Sequence, residues 1–168
     1  MRTNRFDFDK AKWQYDSAAD IYCRQTGKAP EELTDEDCTV IWEYGANHIA
    51  FFLTWLIEND LLSSLHNEAA ADIGMVKSRQ MTGFEYLERN CDMTLSREDL
   101  SRKIVRFADH FYYDYCGENG YCGYMENELH RVVLGTRFSW DDYDAVKSDV
   151  IDAAYKEFLS KRLPGRKK

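Results

Sequence analysis

The sequence predicts an all-α fold, a single-domain irregular bundle of about six to seven helices. Three observations carry that expectation. Only two prolines, Pro30 and Pro164, interrupt the 168 residues, so few positions forbid helix. Apolar residues recur at three- and four-residue spacing along most of the chain, and several stretches open on a Ser or Thr suited to capping a helix. No window sustains the period-two alternation of a half-buried strand; Arg131-Val132-Val133-Leu134-Gly135 is the one short candidate.

The first helix is expected from near Asp9 to about Gln25, with Trp13, Ile21 and Tyr22 among its apolar members. Gly27 stands where a C-cap belongs, and Pro30 prevents continuation. Thr34 before Asp35-Glu36-Asp37 reads as an N-cap followed by acids at the positive end of the helix dipole. That helix should run to Glu58 and be central, because it is apolar around much of its circumference after His48. Gly45-Ala46 marks a kink or a close neighbour. A shorter helix is expected over His66 to Lys77, and another after Thr82, with Glu85 completing a capping box. Ser96-Arg97-Glu98-Asp99 reads as a further helix start, leading into the stripe Leu100, Ile104, Phe107, Ala108 and Phe111. A short helix over Tyr124 to Leu134 and a last one from Ser139 to about Lys161 complete the set. The domain reading is an N-terminal extension over 1–8, one helical domain over 9–162 and a basic tail over 163–168.

Charge narrows the partners. The chain holds 22 basic and 30 acidic residues, and five of the basic ones lie in Lys161–Lys168. Without them the body carries 17 against 30, or −13. Such a body repels phosphate-rich surfaces, so nucleic acid and anionic membrane are not expected partners. The longest apolar run, Ile49 to Ile57, is far shorter than the about twenty residues of a membrane span. Five cysteines (Cys23, Cys38, Cys91, Cys116 and Cys122) and a start without an apolar core point to free thiols in a cytoplasmic protein.

Between Arg106 and Arg131 the chain runs 24 residues without Lys or Arg, and includes five Tyr and five acids. Tyrosine suits a surface that is apolar and hydrogen-bonding at once, and carboxylates beside it favour a basic partner. The expected contact residues are Asp109, Tyr112, Tyr113, Asp114, Tyr115, Glu118, Tyr121, Tyr124, Glu126 and Glu128. A plainer reading makes the aromatics core and the acids solvated; the sequence leaves both open. The acidic turn from Glu31 to Asp37 is a second candidate surface, with helix capping as its plain reading.

Linear motifs argue for no metal, no cofactor and no catalytic constellation. The closest cysteines, Cys116 and Cys122, are too far apart for a zinc-finger pair, and no histidine completes a Glu-x-x-His motif. Gly117, Gly120 and Gly123 do not match a phosphate loop. His110 with Asp114 and Glu126 with His130 each stand four residues apart, a spacing that also serves ordinary helix-surface pairs. His48 reads as a packed core residue or a base. An enzyme or metalloprotein using His48, His110 or His130 is therefore one alternative, and a self-associating helical module is another.

A resemblance adds to this. Asp9-Lys10-Ala11-Lys12-Trp13-x-Tyr15, the run His48 to Glu58, Met81-Thr82-Gly83 and Cys91-Asp92-x-x-Leu95 occur in this order. Together they resemble an uncharacterised family of small acidic bacterial proteins of the kind encoded beside polymorphic toxins. The resemblance implies a cytoplasmic immunity or antitoxin-like role, in which the chain blocks a cognate toxin by binding it; the acidic body independently favours a toxin domain with a basic surface. It supplies no catalytic residues.

Overall fold

In a computed structural model, described over residues 7–111 and 128–162, the chain is helical with one two-stranded sheet among the described residues. The order is β1 (Asp7–Lys10), a 3₁₀ turn (Ala11–Trp13), α1 (Tyr15–Thr26), a 3₁₀ turn (Pro30–Glu32) and α2 (Asp35–Glu58). A 3₁₀ segment (Ser64–Ala69), α3 (Ala70–Lys77), α4 (Gly83–Cys91), β2 (Thr94–Ser96) and a 3₁₀ turn (Arg97–Asp99) follow. After α5 (Val105–Asp109) come α6 (Glu128–Val133) and α7 (Trp140–Val146), which passes through a π-helical stretch (Lys147–Asp152) into α8 (Ala153–Arg162).

α2 is the axis of the molecule. Gly45 to Ile57, thirteen consecutive residues, are all buried, so no side of its second half faces water. A helix with that burial needs cover all round. α1, α3, α4, α6, the sheet, the first 3₁₀ turn and the π stretch provide it. Phe51, Phe52, Trp55, Phe107 and Phe111 form the aromatic centre, with Phe52 stacked on Phe111 at 5.1 Å between centroids. Among the described residues no helix is long and apolar enough to cross a membrane.

The capping signals read correctly. Thr34 accepts from Asp37 N while Asp37 accepts from Thr34 N, and Thr82 and Glu85 do the same at α4. Gly27 sits at φ 73° as a left-handed C-cap, and Ser139 Oγ accepts from Asp142 N at the start of α7. Gly45 marks a close neighbour: a Cβ there would lie 3.3 Å from Ala11 O.

Two expectations need correction. Residues 7–10 are a strand and 11–13 a 3₁₀ turn, so the first helix begins at Tyr15 and not near Asp9. β1 pairs antiparallel with β2, with a register irregularity between Asp7 and Asp9. That bulge turns both Phe8 and Asp9 inward, which erases the alternation that would announce a strand. Of the short helix expected over 124–134, the described part is α6, Glu128–Val133, followed by Gly135 at φ 77°; the residues of the one strand candidate, 131–133, are thus helical. Ser96 caps only a 3₁₀ turn, because its partner Asp99 is drawn into a buried cluster and the helix resumes at Val105.

Two glycines are expected to respond oppositely to alanine. At Gly83 a Cβ would lie 1.9 Å from Thr54 Oγ1 and 2.5 Å from Ala50 O. Gly83→Ala should therefore push α4 off α2 and cost about 1–3 kcal/mol. At Gly74, inside α3, a Cβ meets nothing within 4 Å, and Gly74→Ala should stabilise by about 0.5–1 kcal/mol. Denaturant melts of the two variants check both signs.

Candidate functional site

Of the four histidines, His48 is the one the sequence places on the central helix, and it is enclosed. Its Nε2 lies 2.8 Å from Asp9 Oδ2; His48 is 3% exposed and Asp9 0%. The bulge in β1 is what delivers Asp9 to it. This is the packed-histidine geometry: a buried carboxylate and a buried imidazole satisfy each other, and neither has a face for a substrate.

The acidic turn divides. Asp37 is 5% exposed and accepts from Lys28 Nζ at 2.7 and 2.8 Å, from Thr34 N at 2.8 Å and from the Tyr22 hydroxyl. The Lys28 ammonium, then Tyr22 and the Thr34 amide, hold its carboxyl well below the usual carboxylate range. Glu31, Glu32, Asp35 and Glu36 stay exposed. One acid of the five is thus structural and four are surface. Further along the same helix, Thr39 and Trp42 are also exposed, and Asp35, Thr39 and Trp42 share a face at four- and three-residue spacing. Trp42 packs on Tyr15, centroids 4.7 Å apart, while staying 36% exposed. Together with Lys10, Phe84 and Met93 it lines a cavity of 480 Å³.

Of the expected contact residues in the basic-free window, the described part holds Asp109. Arg97 grips both its oxygens, one at 3.2 Å, and the same guanidinium lies 5.2 Å from the Phe8 ring centroid. Tyr112, Tyr113, Asp114, Tyr115, Glu118, Tyr121, Tyr124 and Glu126 lie outside the described residues. So do the side chains of Glu128 and His130, which belong to α6. Phe107 and Phe111, at the head of the window, are core. His110 is half-buried with its ring 5.5 Å from Phe158.

The structure assembles one cluster that the linear search missed. His66, in the 3₁₀ segment, is 4% exposed. Its Nδ1 lies 2.8 Å from the Tyr86 hydroxyl and its Nε2 3.1 Å from Asp99 Oδ1. Asp99 Oδ2 accepts from Ser96 N at 2.6 Å and Ser96 Oγ at 2.8 Å. Cys91 Sγ, an imidazole nitrogen of His66 and a carboxylate oxygen of Asp99 all lie within 4.8 Å of one another. Burial alone would raise the Asp99 carboxyl, but the His66 and Ser96 hydrogen bonds overcome it and hold the group below its usual range. Burial and, secondarily, the Asp99 carboxylate push the Cys91 thiol up to about 12. His66 also lines a 310 Å³ cavity with Glu68, Asp72 and Asn90. Sequence separations of 25 and 33 residues from His66 hide this grouping; its one local signal was the Ser96–Asp99 spacing, which reads as a cap.

A family model described as a domain of unknown function (DUF7832) matches residues 7–138. The chain belongs to that family. No curated protein and no solved structure matches it. The family span opens at β1 and closes at Phe138, so it includes the Asp9–His48 pair, the exposed face of α2 and the His66 cluster, and stops before α7.

Asp37 sets a pH expectation. Its folded pKa is depressed, so its stabilisation is complete above the ordinary carboxylate range and is lost as pH falls through the folded value. Asp37→Asn should lower the melting temperature near neutral pH, and the gap to the parent protein should close as pH drops below about 3. Melting curves from neutral to acid pH check it.

Proposed function

We propose that this protein acts by stoichiometric binding to a protein partner with a basic surface, as an immunity protein that neutralises a toxin domain. The observation that carries the reading is the exposed face of α2. Trp42, half in contact with Tyr15 and half open, stands beyond Asp35 and Glu36, with Glu31 and Glu32 on the preceding turn. An aromatic anchor rimmed by acids is the arrangement that recurs at interface hot spots facing cationic partners. The body charge of −13, left when the 22 basic residues lose the five of the tail against 30 acids, adds long-range attraction in the same sense. A toxin that acts on nucleic acid needs a basic cleft, and an acidic surface is complementary to such a cleft.

The resemblance to proteins encoded beside polymorphic toxins supports the same role. The tyrosine-rich window from Asp109 to Glu128 is the second surface this reading offers, and a standard interface of about 20–30 residues per side has room for both. His48 contributes to this function through packing and not through chemistry, since it is enclosed with Asp9.

The test is binding to the product of the neighbouring gene, which this reading expects to be a toxin with a basic domain. Trp42→Ala should weaken the complex by about 2 kcal/mol, some thirty-fold. Glu31→Lys with Glu36→Lys should slow association and lessen its salt dependence. Asp114→Lys with Glu118→Lys should weaken binding if the window also makes contact. Unchanged affinity in all three folded variants sinks the proposal.

A further inference from the structure

We propose that His66, Cys91 and Asp99 form a zinc site, with water as the fourth ligand. The argument starts from the number and type of donors. Three atoms of different chemistry, an imidazole nitrogen, a sulfur and a carboxylate oxygen, come from three separate segments and meet within 4.8 Å. Around tetrahedral zinc, with bonds of about 2.0–2.3 Å, ligand atoms stand roughly 3.3–3.8 Å apart. His66 Nε2 and Asp99 Oδ1 are already 3.1 Å apart, so closing the trio requires little movement.

The outer partners are in place as well. Metal-binding histidines hand their second nitrogen to a neighbour that fixes the ring. Here the Tyr86 hydroxyl lies 2.8 Å from Nδ1 and can accept its proton when Nε2 takes the metal. Ser96 N and Oγ hold Asp99 Oδ2 and leave Oδ1 pointed at the trio. Both ligand orientations are therefore set by groups that do not themselves ligate.

Charge favours a divalent cation. The metal-free pocket holds the Cys91 thiol beside the Asp99 carboxylate; on binding, the thiol proton leaves to solvent and the Zn²⁺ charge offsets both the thiolate and the carboxylate. Sulfur and nitrogen donors select against magnesium and calcium, which take oxygen. Three protein ligands leave one position for water, and His66 also borders a 310 Å³ cavity. Such an ion would add a further tie between the 3₁₀ segment of His66, the end of α4 and the turn after β2, which Ser63 N to Asp99 O and the His66–Tyr86 pair already link.

Reduced, EDTA-dialysed full-length protein titrated with Co²⁺ tests this. One equivalent should produce a thiolate-to-cobalt charge-transfer band in the near ultraviolet, and Zn²⁺ should abolish it by displacement. Cys91→Ser and His66→Ala should lose the band with the helical circular dichroism intact. Tyr86→Phe should keep it and weaken affinity by about 10–100-fold. No band in the parent protein overturns the proposal, as does a band that survives in Cys91→Ser. If Cys91→Ser does not fold, alkylation of the parent protein decides. One equivalent of Zn²⁺ should slow iodoacetamide modification of Cys91 by about tenfold or more, and an unchanged rate, read by mass spectrometry of that peptide, overturns the site.

Discussion

The second half of α2 is buried all the way round, and most of the architecture follows from what that burial demands. An enclosed helix cannot solvate its polar side chains, so each must find a partner within the protein or cost about 1–3 kcal/mol; Thr54 bonds back to Ala50 O, and the others reach out to further elements. On α2 those partners come from the length of the chain. Glu43 accepts from Arg137 Nε and Phe138 N, Asn47 donates to Thr136, and His48 pairs with Asp9. Trp55 donates to Asp152, and Glu58 takes both the Tyr143 hydroxyl and Lys147. The apolar face of α2 drives association without direction. The polar residues set which segment sits where.

The irregular elements are the consequence. A regular strand cannot turn two neighbouring residues inward, yet Phe8 belongs to the core and Asp9 to His48; the bulge reconciles them. The π stretch over Lys147–Asp152 likewise departs from regular helix where Val150 and Ile151 enter the core and Asp152 meets the Trp55 indole. In both places local geometry yields to a partner on α2.

This division of labour shapes function too. The buried polar groups of α2 are committed to holding the fold, and its first half, where burial lapses, presents acids and Trp42 to the outside. The His66 cluster lies away from that ladder, between the 3₁₀ segment, α4 and the turn after β2. Its residues have hydrogen bonds enough to be oriented, and donor types rich enough to hold an ion. The proposed recognition surface and the proposed zinc site thus fall on different parts of the structure.

Helix class, the central place of α2 and most of its boundaries were legible in the residues, because caps and periodicity are local. Thr34 with Asp37, Thr82 with Glu85, Gly27 and Ser139 each act within one turn of chain. The acidity of the Glu31–Asp37 turn was legible for the same reason, but not that Asp37 alone is buried: Lys28 and Tyr22 decide that from outside the turn. The sheet was hidden because a four-residue strand takes its identity from a partner some 85 residues away, and the bulge removes its periodicity. The His66, Cys91 and Asp99 grouping was hidden more completely, since its members share no helix face and no motif. Local backbone preferences, written in the sequence, determined which segments are helical. Tertiary packing decided which side chains meet, because those meetings depend on the enclosure of α2 and on residues that the chain order keeps far apart.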